Sequence, residues 1–308
     1  MKDIWMLTDA VEMWQRRSRS FGDYSVTTLL KPPQVVQLEK RHGKDAERPL
    51  ESLISAFMGT GVHSMFEENL KLKQITEPRY DIERTIMDKI EDRIISGRFD
   101  ALWDSKHLYD FKTCKTWKKI FDPGMIEWHE QLNIYAHMLR NRGLDIQSIN
   151  VIAIYMDWSK MRSLRERDYP QAPVVEYELT TWPDEVAGKY LRDRINLMKA
   201  CEETVDESLP ECTTEERWMR HDNGSPCVYA VMAKPDAQRA LRVCDTEVEA
   251  REFAANSKAC TPGMSYIEVR YATAKRCEDF CAINSFCRQY REYVAMKKNS
   301  NLIERIAL

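Results

Sequence analysis

The sequence predicts an α/β protein with a mixed central β-sheet flanked by helices, followed by a small cysteine-rich α+β unit. The first observation is a β-like pattern over residues 74–113, followed by a helical pattern over 122–143 and the apolar strand INVIAIYMDW. Strand, helix and strand in that order predict a crossover unit with parallel strands and a helix packed on the sheet. The second observation is that eight of the nine cysteines lie between positions 201 and 287, which indicates a separate structural unit.

Length, charge and apolar pattern constrain the domain organisation of the protein, its binding to nucleic acid and its relation to membranes. At 308 residues the chain is near the size at which single cores stop growing, so we expect a core over 1–205, with an N-terminal helical segment, and a second region over 206–308. The formal net charge of −3 gives no bulk attraction to nucleic acid, so DNA binding would depend on local basic patches. No apolar run approaches the ~20 residues of a membrane span, and Asp3 and Asp9 interrupt the N-terminal apolar stretch. We therefore expect a cytosolic protein without a membrane partner.

A long helix is predicted over residues 49–73, where apolar side chains recur at helical spacing. Gly59 and Gly61 lie inside it, and each costs helix stability of about 1 kcal/mol. We expect the close approach of a strand or a ligand to require them. His63 and Glu67 follow one turn apart, so they lie on one face of the helix.

The segment GRFDALWDSKHLYDFKTCK, residues 97–115, reads as two strands joined by a turn at DSKH. A turn centred on its serine places Asp100 directly opposite Asp110, whereas a one-residue change makes the pair diagonal. Asp110 and Lys112 share a face because side chains alternate along a strand. Such a pair is usually a solvated strand face, but converging carboxylates are the oxygen ligands that Mg²⁺ and Mn²⁺ prefer. A neighbouring lysine would hold a water molecule or offset charge on a phosphoryl oxygen.

Two further groups of residues follow the hairpin. Gln131 and Tyr135 are four residues apart on the predicted helix and therefore share a face. Lysines interleaved with an indole follow Lys112 directly, a pattern typical of surfaces that contact phosphates and stack a base. An ordinary lysine-rich loop with a packed indole is an equal alternative. The residues concerned are Lys115, Trp117, Lys118 and Lys119.

Three cysteines near the C-terminus, Cys277, Cys281 and Cys287, have the spacing C-x3-C-x5-C. A closed zinc site or a [4Fe–4S] cluster needs a fourth ligand, and the spacing fits both. We select Cys212 as the fourth ligand because it opens the C-terminal region. The alternatives are Cys260 and Cys227, and the cysteines expected simply in the core are Cys114, Cys201 and Cys244.

Taken in order, the motifs Gly-Thr-x-x-His, Gly-Arg-x-Asp, Asp-x-Lys-Thr and Gln-x-x-x-Tyr resemble those of the PD-(D/E)XK nuclease superfamily. The sequence looks most like the RecB-type branch, which includes the AddB nuclease domain and CRISPR-associated and phage-encoded exonucleases. The resemblance covers roughly residues 20–160 and implies a restriction-endonuclease-like core. Each motif alone is weakly specific, whereas the ordered set of four is strongly specific.

The resemblance implies a role for each matching residue. Asp100 and Asp110 resemble the metal-binding acids, and His63 resembles a further metal ligand in this branch. Lys112 resembles the catalytic lysine. The residues that resemble the DNA-orienting motif are Gln131 and Tyr135. The chain has Asp110 where the family often has glutamate, and Glu67 is a possible extra ligand.

The resemblance also implies the cofactors. Mg²⁺ or Mn²⁺ would lie at the acids, where a divalent ion lowers the pKa of water and neutralises charge at the leaving oxygen. Because His63 is a less usual ligand for Mg²⁺, we expect Mn²⁺ to be accepted well. Because nucleases of this branch include iron–sulfur proteins, the resemblance favours a [4Fe–4S] cluster over zinc in this chain. The cluster would have a structural role and hold the C-terminal region against the core. The chain departs from them in its longer first gap and in having no cysteine before Cys114, although Pro33 lies near the expected position.

The function expected from these features is hydrolysis of DNA by a divalent-metal-dependent exonuclease in recombination, repair or phage DNA processing. Its substrate would be single-stranded DNA or duplex ends. No Gly-x-x-x-x-Gly-Lys-Ser/Thr motif is present, so the protein would act alone or with a separate helicase or recombinase. The alternatives are a non-catalytic nucleic-acid-binding protein on the same fold, a metal-stapled adaptor and a site-specific endonuclease.

Overall fold

The computed structural model of the protein describes residues 11, 21–46, 50–122, 124–220, 227–299 and 305–308. Most of the predicted N-terminal helical segment lies outside these residues. The predicted fold class is confirmed, because the chain forms mixed and antiparallel sheets flanked by helices. None of the described helices is both long and apolar enough to span a bilayer.

The elements up to the end of the parallel strand pair agree with the predicted order. In chain order they are β1 (Tyr24–Ser25), α1 (Val26–Leu29), α2 (Pro33–His42), α3 (Leu50–Thr76), β2 (Tyr80–Ile82), β3 (Thr85–Ile90), β4 (Arg93–Arg98), β5 (Ala101–Trp103), β6 (His107–Cys114), α4 (Trp117–Phe121), α5 (Ile126–Arg140) and β7 (Ser148–Tyr155).

The remaining elements are shorter, apart from one long helix. They are α6 (Lys160–Ser163), β8 (Val174–Leu179), α7 (Asp184–Glu202), β9 (Met219–Arg220), β10 (Cys227–Met232), β11 (Arg242–Cys244), α8 (Glu247–Asn256), β12 (Tyr266–Tyr271), β13 (Thr273–Ala274), α9 (Lys275–Asp279), α10 (Arg288–Asn299) and β14 (Arg305–Ala307). Two short 3₁₀ turns occupy Asp206–Ser208 and Asn284–Phe286.

The chain divides into two structural units. Unit 1 comprises Met1–Lys31 and Arg48–Glu203, and unit 2 comprises Pro32–Glu47 and Thr204–Leu308. The division after Glu203 lies two residues from the predicted boundary. Residues 32–47 differ from the prediction, which placed them in the first domain.

Contacts at the C-terminal end of α2 explain why residues 32–47 belong to unit 2. The Arg41 guanidinium and the His42 imidazole both contact Asp206, at 2.5 Å and 2.6 Å. The His42 ring also stacks on Phe286, with ring centroids 4.6 Å apart. The C-terminal end of α2 therefore packs on the later part of the chain, a long-range contact that no local sequence pattern predicts.

Unit 1 contains a five-stranded mixed sheet in the order β2-β5-β6-β7-β8. Strands β6 and β7 pair in parallel, and the segment between them contains α5, as the strand–helix–strand pattern predicts. The other pairs in this sheet are antiparallel. Helix α5 begins at Ile126, later than the predicted start at residue 122, and it buries Leu132 and Ile134 completely.

The turn between β5 and β6 has a backbone conformation that suits an antiparallel hairpin. Asp104 and Ser105 both have positive φ, 53° and 57°, and Lys106 N donates to Trp103 O at 3.1 Å. Positive φ at both central positions makes a type I′ turn, whose twist matches that of antiparallel strands. The strand register pairs Trp103 with His107, so Lys106 is a third residue of the connection.

A second, three-stranded sheet in unit 1 has the order β1-β4-β3. Strand β4 pairs with β1 in parallel and with β3 in antiparallel orientation. Because β4 leads directly into β5, Arg98 and Asp100 lie at the point where the chain passes from one sheet to the other.

Unit 2 contains a four-stranded antiparallel sheet in the order β11-β10-β12-β14 and a small β13–β9 pair. The Thr246 side chain accepts a hydrogen bond from Glu249 N and caps α8. Ala250 and Ala254 of that helix pack on Val231 and Ile267 of the sheet. The predicted small α+β unit is therefore present.

Candidate functional site

The strand register in unit 1 brings two of the predicted acids together. Ala101 pairs with Tyr109, so the preceding residue, Asp100, lies opposite Asp110. The Asp100 carboxylate accepts a hydrogen bond from Phe111 N at 2.7 Å, which holds it against β6. Both side chains are buried, with Asp110 only 2% exposed.

Glu83 is a third acid at this position, and sequence reasoning missed it. Ile82 pairs with Ala101, so the next residue, Glu83, lies beside Asp100, and Glu83 N donates to Asp100 O at 2.9 Å. Glu83, Asp100 and Asp110 thus form a row across three adjacent strands. The pairing of β2 with β5 would have predicted this row, but no local motif indicates that pairing.

His63 reaches the same row from α3. Its Nδ1 lies 3.4 Å from Asp100 Oδ2. Ligand atoms of His63, Glu83 and Asp100 all lie within 4.8 Å of one another. A Cβ on Gly59 would lie 2.9 Å from Thr113 Oγ1 of β6, so the expected close approach of a strand is present there. Nothing lies within 4 Å of a Cβ built on Gly61, so close packing does not explain that glycine.

A chain of polar contacts joins the third predicted motif to the fourth. Lys112 Nζ lies 2.7 Å from Asp110 Oδ2 and donates to Gln131 Oε1 at 3.1 Å. Gln131 Nε2 in turn donates to the Tyr135 hydroxyl at 3.3 Å. The α5 face predicted from the Gln-x-x-x-Tyr spacing therefore points at the lysine and holds its ammonium group in place.

The row of acids is electrostatically crowded. Burial, and then the neighbouring Asp110, raises the pKa of Asp100 well above its ordinary value, although Lys112 opposes the shift. Burial also raises the pKa of Glu83 despite the opposing Arg98 guanidinium, whose Nε lies 2.7 Å from Glu83 Oε2. Like charges and low solvation both destabilise the ionised forms, so a bound cation would relieve both effects.

The other two ionisable groups at the site are His63 and Lys112. Burial lowers the pKa of His63, which favours the neutral imidazole that ligates metals. Burial would also lower the pKa of Lys112, but Asp110 and Asp100 outweigh this effect and raise it. Lys112 is therefore held as an ammonium ion beside the acids.

The donor set fits a divalent ion such as Mg²⁺ or Mn²⁺. It combines carboxylate oxygens of Glu83 and Asp100 with one neutral imidazole, and Asp110 lies opposite Asp100 with its Oδ2 paired to Lys112 Nζ at 2.7 Å. An ion coordinated here would offset the negative charge of these carboxylates.

Glu67, the possible extra ligand, lies farther from this group. It forms an ion pair with Lys71 on the same helix. Among the described residues, the ligand atoms that converge within 4.8 Å are those of His63, Glu83 and Asp100; Asp110 is outside this group too, but the strand register places it opposite Asp100. Glu67 is near enough to Glu83 to contribute to the raised pKa of that residue. The structure therefore favours Glu83 over Glu67 as the additional acid.

Replacing Glu83 with glutamine is expected to weaken Mn²⁺ binding by about tenfold, because a ligand charge is lost while the side chain keeps its size. Glu67→Gln should change the affinity less than twofold. Titration calorimetry with MnCl₂ measures both. An equal loss in the two variants would show that Glu67 contributes as much as Glu83.

The predicted basic surface is only partly open. Lys118 Nζ pairs with Asp122 at 2.6 Å and lies 5.0 Å from the Trp128 ring centroid. Lys119 Nζ lies 5.3 Å from the ring centroid of Tyr177. Lys115 is exposed and Trp117 is 45% exposed. Contact of these four residues with nucleic acid stays a prediction, in which Lys115 and Trp117 are the more accessible members.

Gly97 of the Gly-Arg-x-Asp motif has a packing role. A Cβ on Gly97 would lie 2.4 Å from Tyr135 Cε1 and 3.2 Å from a methyl carbon of Val26. Tyr135 is 2% exposed, and its hydroxyl contacts Gln131. Burial raises the pKa of Tyr135 to about 12, so its hydroxyl stays protonated. The absence of a side chain at Gly97 thus allows the ring to support the Gln131–Lys112 contact.

Gly97→Ala is expected to lower the free energy of unfolding by about 1–3 kcal/mol, because the Tyr135 ring must move within a packed core. Gly61→Ala is the matched control. Its Cβ meets open space on a helix, where alanine is favoured over glycine by about 1 kcal/mol, so stability should stay or rise. Urea denaturation compares the two variants, and equal stability would contradict the packing role.

Four cysteines of unit 2 surround one cavity. Cys277, Cys281 and Cys287 line it together with Cys212, the residue selected as the fourth ligand. The alternatives lie elsewhere in unit 2: Cys227 begins β10, and Cys260 packs beside the α8 core. All nine cysteines of the chain are free thiols.

Burial keeps these thiols protonated. It raises the pKa of Cys212 to about 12 and that of Cys281 to about 11, and it also raises the pKa of Cys287. Metal binding would displace the thiol protons, and Arg276 compensates part of the thiolate charge at Cys212 and Cys281. The donor set therefore fits a thiolate-bound metal or an iron–sulfur cluster.

Comparisons with known proteins add little to this geometry. No protein-family model matches the chain, and no curated protein matches it. A solved structure described as "Crystal structure of SSO0001" is similar over 62% of this chain and 84% of that chain, with 18% sequence identity and a TM-score of 0.41. A likeness of this size carries no functional argument. The residues of the two sites therefore provide the basis for a function.

Proposed function

We propose that the chain is a divalent-metal-dependent deoxyribonuclease of the PD-(D/E)XK type that hydrolyses phosphodiester bonds from DNA ends. The observation that carries the proposal is the convergence of His63, Glu83 and Asp100, with Asp110 opposite Asp100 in the strand register and Lys112 paired with Asp110. Three motifs that are separated in sequence supply His63, Asp100, Asp110 and Lys112, and Glu83 comes from outside them. A solvated strand face would not bury two adjacent carboxylates beside a half-buried lysine.

Each residue has a distinct task in the proposed hydrolysis. Asp100, Asp110 and His63 would hold Mg²⁺ or Mn²⁺, with Glu83 completing the set. The ion, when bound, supplies a lowered pKa for water and neutralisation of developing negative charge. Lys112 holds its proton at Nζ and presents a positive charge to the phosphate, while Gln131 orients that ammonium and Tyr135 fixes Gln131.

The cysteine cavity supports a structural metal group in unit 2. Cys212, Cys277, Cys281 and Cys287 supply the four thiolates that a closed zinc site or a [4Fe–4S] cluster requires. The resemblance to iron–sulfur nucleases favours the cluster over zinc.

The remaining parts of the proposal concern the cellular location, the pathway, the partner proteins and the DNA contacts. We place the enzyme in the cytosol of a bacterial or phage-infected cell, acting in recombination, repair or phage DNA processing. A separate helicase or recombinase would supply unwound strands or ends. Lys115 and Trp117 would contact the DNA beside the active site.

Incubation of the full-length protein with end-labelled linear DNA and closed circular DNA, in Mg²⁺ or Mn²⁺, tests this function. Progressive loss of linear DNA with circular DNA intact supports an exonuclease, and the order of label release gives its polarity. Discrete fragments from circular DNA would support the site-specific endonuclease instead. Binding of DNA without cleavage in either metal would contradict catalysis and leave the binding protein as the function.

A further inference from the structure

The cysteine cavity contains a buried side chain that the proposed metal group does not by itself explain. Gln34 of α2 lines the cavity and is 1% exposed. Its Oε1 accepts hydrogen bonds from the thiols of Cys287 at 3.4 Å and Cys212 at 3.6 Å. Its Nε2 is buried with no hydrogen-bond partner. The amide oxygen of Gln34 therefore accepts two hydrogen bonds from the cysteine thiols, whereas its amide nitrogen has no hydrogen-bond partner.

These hydrogen bonds require protonated thiols as donors, and they are lost when the cysteines bind a metal. Each coordinating cysteine releases its proton to solvent, so that its sulfur changes from a donor to an acceptor. The Gln34 carbonyl would then face two thiolates with no donor between them. Rotation of the carboxamide by half a turn exchanges its oxygen and nitrogen in nearly the same volume and directs N–H groups at the sulfurs.

We propose that Gln34 is a positioning residue of the thiolate site, which donates N–H···S hydrogen bonds to Cys212 and Cys287 when they hold a metal. The inference rests on the proposed thiolate site and is independent of the nuclease centre. The donated hydrogen bonds satisfy Nε2 and stabilise the charge on the two sulfurs. Partners that contact metal ligands in this way typically change metal affinity by 10–100-fold.

The same helix provides a matched control in Gln37. This residue is 2% exposed, and its Nε2 is also buried without a hydrogen-bond partner, but it does not line the cysteine cavity. Gln34→Leu and Gln37→Leu thus remove the same chemical group at similar burial, and only the first change faces the thiols. Gln34→Glu keeps the size of the side chain and replaces its donors with negative charge.

The experiment loads the full-length chain in two ways: anaerobically with Co²⁺, and anaerobically with Fe²⁺ and sulfide. Thiolate-to-metal absorption reports occupancy, and competition with a chelator gives the Co²⁺ affinity. We expect Gln34→Leu to bind Co²⁺ about tenfold more weakly and Gln34→Glu more weakly still, while Gln37→Leu stays within twofold. In the iron arm, the Gln34 variants should lose their cluster to a chelator about tenfold faster.

Equal affinity of Gln34→Leu and the wild type in both arms would overturn the role of Gln34. If circular dichroism shows that Gln34→Leu does not fold, Gln34→Glu decides, and binding like that of the wild type overturns the inference. A wild-type chain that loads neither metal would overturn the thiolate site itself. DNA cleavage does not enter these readouts, so failure of the nuclease assignment is a separate result.

Discussion

Asp110→Asn is expected to lower the rate of DNA cleavage by about 10³-fold while leaving the fold intact. The substitution keeps the shape of a side chain that is 2% exposed but removes the charge opposite Asp100. It takes away one cation ligand and a preorganised charge, and single groups of this kind contribute about 10²–10³ in kcat. DNA affinity should be unchanged or higher, since a negative charge is lost beside the phosphate.

Asp104→Asn is the control for that experiment. Asp104 is exposed in the turn of the same hairpin, and its positive φ is one that asparagine adopts readily. Its cleavage rate should equal that of the wild type. Residual cleavage by Asp110→Asn within tenfold of the wild type, measured on end-labelled DNA, would exclude Asp110 from the catalytic centre.

Lys112→Met should separate metal binding from catalysis. Methionine keeps an unbranched apolar chain in the half-buried position, but the ammonium between Asp110 and Gln131 is removed. We expect cleavage to fall about 10²–10³-fold because a positive charge directed at the phosphate is lost. Mn²⁺ affinity should stay the same or rise, because the cation no longer competes with Lys112 for the Asp110 carboxylate.

Lys89→Met, on an exposed position of β3, is the matched control and should cleave DNA like the wild type. Calorimetric titration with Mn²⁺ accompanies the kinetic measurement. If Lys112→Met lost Mn²⁺ binding and cleavage in equal proportion, Lys112 would be maintaining the site rather than acting on the phosphate.

The hairpin was predictable because its determinants are local. Alternating side chains in residues 97–115 give the two strands, and the short DSKH segment gives the turn, so the facing of Asp100 and Asp110 follows from a short piece of chain. The Gln131–Tyr135 face was predictable for the same reason. A helix fixes which residues share a face without reference to the rest of the molecule.

Glu83 and Gln34 were not predictable because they depend on contacts between distant segments. Glu83 joins the acids only because β2 pairs with β5, and its own backbone bends directly after β2 with a φ of 54°. Gln34 reaches the cysteines because α2 packs with residues beyond position 204. Cys212 was a choice among three candidates. Its convergence with the later trio is a property of the folded chain rather than of its spacing.

A parallel titration of Mn²⁺ binding and DNA cleavage tests the central claim most directly. Electron paramagnetic resonance counts the free ion while end-labelled linear DNA reports cleavage, for the wild type and for the Asp100→Asn/Asp110→Asn double variant. The account predicts that occupancy and cleavage rise together in the wild type and that both are lost in the double variant. Cleavage by the wild type in excess chelator, or equal Mn²⁺ binding by the two proteins, would contradict it.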